Sequence, residues 1–98
     1  MKKLESQFQS KLIKELKARY PGCVVMKTNP NYIQGLPDLI VLIDDFWCAL
    51  ECKREGRSTH RPNQDWYIAK MNSMSFAAFI YPENKEVVLD ELSRSFKS

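Results

Sequence analysis

Two carboxylates and a lysine stand at the ends of the most apolar stretch of the chain. Asp38 opens this stretch, Glu51 and Lys53 close it, and residues 39–50 between them are mostly apolar. Burial of an unpaired charge is costly, so ionisable groups at these positions indicate a shared chemical task. Carboxylate oxygens, in a chain with one histidine and no C-x-x-C pair, are ligands for a hard cation such as Mg²⁺ or Mn²⁺.

The spacing of these residues predicts that they meet in space. A two-residue turn at 44–45 makes the apolar stretch a hairpin, and counting outward from this turn places Asp38 directly opposite Glu51. Residues opposed in this way have Cβ atoms about 4.5–5.5 Å apart, and like charges there are destabilising unless a cation lies between them. Lys53, two residues beyond Glu51, leaves the sheet on the same face.

A fourth ionisable residue, Glu5, is predicted to face inward. Residues 3–19 carry a large apolar side chain at every fourth position, which is typical of an amphipathic helix, and Glu5 lies near the middle of that apolar stripe. Two interpretations are open: a glutamate in the first turn that still reaches water, or a third carboxylate that shares a ligand with Asp38 and Glu51. With Lys53 beside a metal, the predicted chemistry is metal-assisted phosphodiester hydrolysis.

The rest of the pattern predicts the elements that position these residues. Periodicity and turn residues give the order α-β-β-β-α-β-α, which is an α/β fold with a mixed central sheet flanked by helices. Both hairpin strands are apolar on both faces, so we expect each to be covered on both sides. The predicted helices are 3–19, 62–72 and 85–96, and the predicted strands are 23–27, 39–43, 46–53 and 76–81.

Length and composition favour one domain spanning residues 1–98. The chain has 44% hydrophobic and 28% charged residues, which excludes wholesale disorder. No apolar run approaches the roughly 20 residues of a membrane span, and the basic N-terminus lacks the apolar region of a secretory signal. We therefore expect a cytoplasmic protein. The three cysteines and single histidine do not supply a zinc site, so we expect reduced, buried thiols.

A basic stretch follows the second hairpin strand. A net charge of +3 does not by itself indicate a nucleic-acid binder, so the clustering of cations is more informative. A solvated loop and a phosphate-binding loop are both open. Lys27 is a further phosphate candidate, and Tyr32 could either stack on an unpaired base or cover the core edge. The clustered candidates for DNA contact are Arg54, Arg57, His60 and Arg61, which would bind the backbone without reading bases.

Several of these residues form a larger pattern when they are taken together. The pattern consists of Glu5, Gly35-x-Pro37-Asp38, Glu51-x-Lys53 and Gln64. In this order, over nearly the whole chain, it resembles the VRR-NUC branch of the PD-(D/E)XK nuclease superfamily. The resemblance implies a restriction-endonuclease-like core and a single nuclease domain. One departure lies at residues 72–75, Asn-Ser-Met-Ser, where relatives often carry a glycine before the last strand.

The resemblance also implies a role for each matching residue. Lys53 would be the catalytic lysine. Gln64, predicted to face the sheet, would support the active site, and a buried hydrogen-bonding amide is the alternative role. A catalytic Mg²⁺ or Mn²⁺ would be bound by Asp38, Glu51, Glu5 (directly or through water) and the backbone carbonyl of Cys52.

Compact stand-alone relatives are similar to Holliday-junction resolvases, which act as homodimers. We therefore expect a metal-dependent DNA endonuclease, selective for branched DNA, that works as a homodimer. The apolar face of helix 85–96 could form the dimer interface or pack on its own domain. Two alternative functions remain: another nuclease activity of the same fold (nicking, flap or exonuclease), or an inactive nucleic-acid-binding module. The retained pair of opposed acids counts against the inactive module.

Overall fold

The computed structural model describes residues 3–97, and its elements follow the predicted order. None of the helices in this part of the chain is long and apolar enough to cross a membrane. The elements are helix α1 (Lys3–Arg19), strand β1 (Val24–Lys27), strand β2 (Leu39–Ile43), strand β3 (Phe46–Cys52), helix α2 (Gln64–Met74), strand β4 (Phe76–Ile80) and helix α3 (Lys85–Lys97).

The four strands form one mixed sheet in the order β1-β2-β3-β4. The first three strands are antiparallel neighbours, whereas β4 runs parallel to β3, so α2 is the crossover that connects them. Ile43 pairs with Phe46 across the two-residue turn, which is the predicted register. Asp44 adopts a left-handed conformation (φ 55°), and aspartate tolerates this region better than most residues.

One face of the sheet is covered by α1 and α3 and contains the hydrophobic core. Alternate residues of β2 and β3 point to this face, because successive side chains of a strand point to opposite sides. The fully buried core side chains include Leu12, Leu16, Leu39, Val41, Leu50, Leu89 and Leu92. The apolar face of α3 therefore packs on its own sheet, so it is not available as the dimer interface that was one of its two predicted roles.

The second face of the sheet is covered only in part. Helix α2 packs on β3 and β4, whereas β1 and β2 lie outside the area that it covers. On this face Val24 is 51% exposed, Met26 44% and Leu42 38%. The expectation that both hairpin strands are covered on each side is therefore wrong for β2, because one short crossover helix does not span four strands.

Helix α2 differs from its prediction at both ends. It begins at Gln64, after Asn63 in a left-handed conformation (φ 72°), so Pro62 lies in the preceding turn and not in the helix. It continues to Met74, and Ser75 follows with a φ of −150°. Because no residue at this turn has a positive φ, a glycine is not required there.

The cysteines are free thiols, as expected. Cys48 and Cys52 are buried, Cys23 is half-buried, and none forms a disulfide. Burial raises the pKa of Cys48 and of Cys52 to about 12, so both thiols stay protonated at neutral pH.

Candidate active site

The two acids meet at the end of the β2–β3 hairpin. The register pairs Leu39 with Leu50, and its next step sets Asp38 opposite Glu51. The Asp38 amide donates to Glu51 Oε1 at 3.1 Å, and the Cys52 amide donates to Asp38 Oδ2 at 2.9 Å. Both carboxylates thus lie on the partly covered face of the sheet, as the turn length predicted.

Asp38 is held in place by contacts on both sides of its loop. The Thr28 hydroxyl donates to the Pro37 carbonyl at 2.7 Å, and the Thr28 amide donates to the Asp38 carbonyl at 2.9 Å. Gly35 has a φ of 95°, and a Cβ atom there would lie 2.7 Å from Asn63 Cβ. Glycine is therefore required where the loop before Asp38 touches the N-terminus of α2.

Lys53 and Gln64 form a buried polar cluster with Glu51. Lys53 Nζ donates to Gln64 Oε1 at 2.7 Å and to the Thr59 carbonyl at 3.0 Å. Gln64 Nε2 donates to Glu51 Oε2 at 2.9 Å, and Lys53 Nζ lies 3.9 Å from that oxygen. Gln64 therefore bridges a cation and a carboxylate, so it is the buried hydrogen-bonding amide that was one of its two predicted roles.

Burial makes it unfavourable for Asp38 and Glu51 to be ionised at the same time. Burial, together with the charge of Asp38, raises the pKa of Glu51 to about 8, while Lys53 opposes the shift. Burial also raises the pKa of Asp38, although the hydrogen bond from the Cys52 amide lowers it. Glu5 raises the pKa of both acids, so its half-buried side chain acts on the site. A proton or a bound cation would relieve this repulsion.

The donor set suits a hard divalent cation. Asp38 and Glu51 supply carboxylate oxygens from neighbouring strands, and the Cys52 carbonyl belongs to the same strand end. Among residues 3–97, no group of three histidine, cysteine, aspartate or glutamate side chains is placed to hold a metal. Two side-chain carboxylates, with water and substrate oxygens in the other positions, are the usual arrangement for Mg²⁺.

Two of the four DNA-contact candidates in residues 54–61 contact acidic side chains. Arg57 Nε lies 3.1 Å from Glu55 Oε1, and His60 Nδ1 lies 2.7 Å from Asp65 Oδ1. Arg54 is exposed, next to Lys53 in the chain. Exposed Arg61 lowers the pKa of Asp38 through its charge, so it faces the acid pair. The basic loop therefore borders the site.

Lys27 and Tyr32 lie on the other side of Asp38. Lys27 ends β1, pairs with Leu39 and is exposed. Tyr32 is 79% exposed, which excludes the alternative that it covers the core edge. Tyr32 is therefore exposed in the loop before Asp38, whereas Lys27, paired with core-facing Leu39, leaves the sheet on the face opposite the acid pair.

Three residues that were not predicted from the sequence contact predicted site residues. Gln9 is buried and hydrogen-bonds to the Cys52 thiol; it lies one helical turn after Glu5, and this spacing could have revealed it. The Thr59 carbonyl binds Lys53, and no side-chain pattern could have predicted a backbone contact. Asp65 pairs with His60, five residues earlier, through a turn that periodicity does not describe.

No family model, curated protein or solved structure matches this chain. The resemblance to VRR-NUC nucleases therefore rests on the motif residues, and the function is argued from the geometry of the site.

Proposed function

We propose that this protein is a divalent-metal-dependent DNA endonuclease with a PD-(D/E)XK core and the residue pattern of the VRR-NUC branch. The observation that carries the proposal is the opposed pair Asp38 and Glu51, with buried Lys53 hydrogen-bonded beside it. A buried acid, Glu51, and a half-buried one, Asp38, both with raised pKa values, destabilise the metal-free protein, and perturbed pKa values of this kind cluster at functional sites.

Each residue of the site has a task in phosphodiester hydrolysis. Asp38, Glu51 and the Cys52 carbonyl would hold Mg²⁺ or Mn²⁺, which when bound polarises the phosphoryl oxygen and lowers the pKa of water. Lys53 presents an ammonium group beside the acids, where it can orient the attacking water or neutralise charge on the phosphorus. Gln64 fixes the direction of that ammonium group through its 2.7 Å contact.

The substrate we propose is DNA bound through its backbone. The exposed cations around the site can bind phosphates, and such contacts position a duplex without reading its sequence. Tyr32, exposed beside the loop of Asp38, offers a ring on which an unpaired base can stack. These features favour selection by DNA structure over selection by sequence.

We further propose that two copies act together on branched DNA. One chain carries one site, whereas resolution of a junction needs a cut in each of two strands, which a two-fold dimer supplies. Val24, Met26 and Leu42 form an exposed apolar surface on β1 and β2 that a second copy can cover. Met26→Glu should then convert the dimer to a monomer in sedimentation analysis. A Met26→Glu protein that sediments as the wild type does would rule out this surface.

The test of the proposed function is cleavage of a substrate panel. Four-way junction, flap, nicked duplex, linear duplex and single strand are incubated with Mg²⁺ or Mn²⁺, and the products are read at nucleotide resolution. Asp38→Asn is the inactive control, and Arg57→Ala is the matched control for lost phosphate contact. Paired cuts near the branch point of the junction support the full proposal.

Each other outcome selects a different function. Equal cutting of all substrates would remove selectivity for branched DNA but keep the nuclease. Cutting confined to flaps, nicks or ends would favour another nuclease activity of the same fold. Binding of the junction without cutting, at any divalent-ion concentration tested, would favour an inactive nucleic-acid-binding module.

A further inference from the structure

The loop between Lys53 and α2 is fixed at His60. The imidazole ring stacks on Phe79 of β4, with ring centroids 4.1 Å apart and an interplanar angle of 21°. His60 Nδ1 lies 2.7 Å from Asp65 Oδ1 in the first turn of α2. One ring face and one ring nitrogen are therefore engaged, which ties the loop to both β4 and α2.

The residues on either side of His60 hold the buried polar cluster through their backbones. The Thr59 carbonyl accepts from Lys53 Nζ at 3.0 Å, and the Arg61 amide donates to Gln64 Oε1 at 2.8 Å. Lys53 and Gln64 are both buried, so these two contacts complete hydrogen bonds that water is poorly placed to replace. A displacement of His60 would move both contacts together.

The position of His60 is also related directly to the acid pair. Phe79, on which the imidazole stacks, is the parallel partner of Glu51 in the β3–β4 register. Side chains of paired residues on adjacent strands leave the same face, with strands about 4.8 Å apart. The imidazole therefore rests on the immediate neighbour of the carboxylate that Gln64 binds.

We propose that His60, held by Asp65 and Phe79, is a positioning residue for the catalytic lysine. It fixes the Thr59 carbonyl and the Arg61 amide, and these set the direction of the Lys53 ammonium group. The inference rests on the proposed nuclease function and deepens it. The inference assigns two roles to the basic loop: Arg57 contacts phosphate, and His60 orients Lys53.

The first experiment measures how firmly the Lys53 ammonium group is held, and it needs no nuclease assay. Exchange of the Lys53 ammonium protons with water is measured by NMR in the metal-free protein. His60→Ala or Asp65→Ala should accelerate this exchange by about tenfold, because the cluster opens more often. The Asp65 side chain is 74% exposed, so Asp65→Ala tests the contact even where His60→Ala disturbs folding. Arg57→Ala, in the same loop, should leave the exchange unchanged.

The second experiment separates positioning from phosphate binding. With Mg²⁺ and the best cleaved DNA, His60→Ala should lower kcat by about tenfold to a hundredfold, as expected for a misplaced catalytic group, with KM unchanged. Asp65→Asn retains an oxygen that can accept a hydrogen bond from His60 Nδ1, so this variant should keep most of the wild-type kcat. Arg57→Ala should show the opposite split, a raised KM with kcat unchanged.

The two experiments can fail separately. A wild-type protein that cuts no DNA, with faster Lys53 exchange in Asp65→Ala, would refute the proposed function and support the positioning contact. Lys53 exchange unchanged in both His60→Ala and Asp65→Ala would overturn the inference. A raised KM with wild-type kcat in His60→Ala would also overturn it, because His60 would then be a phosphate contact.

Discussion

The two faces of the central sheet differ in composition and burial, although the same two strands, β2 and β3, contribute to both. On the face under α1 and α3, Leu39, Val41 and Leu50 are fully buried among apolar neighbours. On the other face, the same strands carry Asp38 and Glu51 at one end and partly exposed apolar residues at the other. One residue step along a strand therefore separates the stabilising core from the candidate site.

The difference shows where this small domain can tolerate unfavourable electrostatics. The apolar face contributes stability at about 25 cal/mol per Å² of buried apolar surface, and the buried core residues that the structure describes there are uncharged. The site face holds two acids whose pKa values are raised by burial and by neighbouring carboxylates, Glu5 for both acids and Asp38 for Glu51. The core thus offsets a local electrostatic cost of the kind that clusters at functional sites.

The largest expected effect is a loss of cleavage rate from a substitution on the site face. Lys53→Ala should lower the cleavage rate by about 10²–10⁴-fold, the range for loss of a group that acts in proton transfer or charge stabilisation. Folding and DNA affinity should largely persist, measured by circular dichroism and fluorescence anisotropy. Cleavage at the wild-type rate would remove Lys53 from the mechanism.

A core substitution should show the reverse pattern. Leu50→Ala removes a fully buried side chain and should lower the free energy of unfolding by about 2–5 kcal/mol. The matched control is Leu42→Ala on the same hairpin, where 38% exposure limits the loss to about 0.5–1 kcal/mol. Urea unfolding measures both variants. Equal losses would mean that the two faces are equally important to stability.

The pH dependence of stability should reveal Glu51. The unfolded carboxyl titrates near 4.5, whereas the folded one titrates near 8, so between these values the folded state binds more protons. The contribution of Glu51 to the free energy of unfolding of the metal-free protein is therefore fully present below pH 4.5, and it is lost as the pH rises through about 8. The loss should be on the order of a few kcal/mol.

Urea unfolding in the presence of a chelator, from pH 4.5 to 8.5, measures this loss. Glu51→Gln should flatten the profile, since the amide does not titrate. Added Mg²⁺ or Mn²⁺ should raise stability most at the alkaline end, because metal ligands bind in the deprotonated form. A wild-type stability that increases across this window without metal would contradict the raised pKa.

A smaller change, a gain in stability, is expected when the other acid, Asp38, is replaced. Asp38→Asn removes a negative charge from the repulsive pair, and its amide oxygen can still accept from the Cys52 amide. The metal-free protein should gain roughly 0.5–1 kcal/mol at pH 8.5, where Glu51 is largely ionised, which raises Tm by about 4–8 °C per kcal/mol. Differential scanning calorimetry in chelator tests this. A Tm that drops by several degrees would show that the pair is not repulsive.

The sequence predicted those parts of the fold that follow from local counting. The two-residue turn at 44–45 fixed the register, and the register brought Asp38 opposite Glu51. Apolar periodicity predicted both bounds of α1. These features need only the spacing of residues along one segment.

The parts that the sequence did not predict depend on how segments pack. Whether α3 buries its apolar face, and how far α2 extends over the sheet, are decided by the placement of whole helices. The stack of His60 on Phe79 joins two elements that only the crossover brings together. Apolar residues on both faces of β2 predicted full cover, but composition does not show the width of the covering helix.

The mixed strand order has a consequence for the newly made chain. The antiparallel hairpin is a local structure, so residues 39–52 can pair as soon as they leave the ribosome. Parallel pairing of β4 must wait for the crossover, and Gln64 arrives with it. During synthesis the opposed acids therefore form before the amide that bridges Glu51 to Lys53, and the candidate site is complete only once β4 has docked.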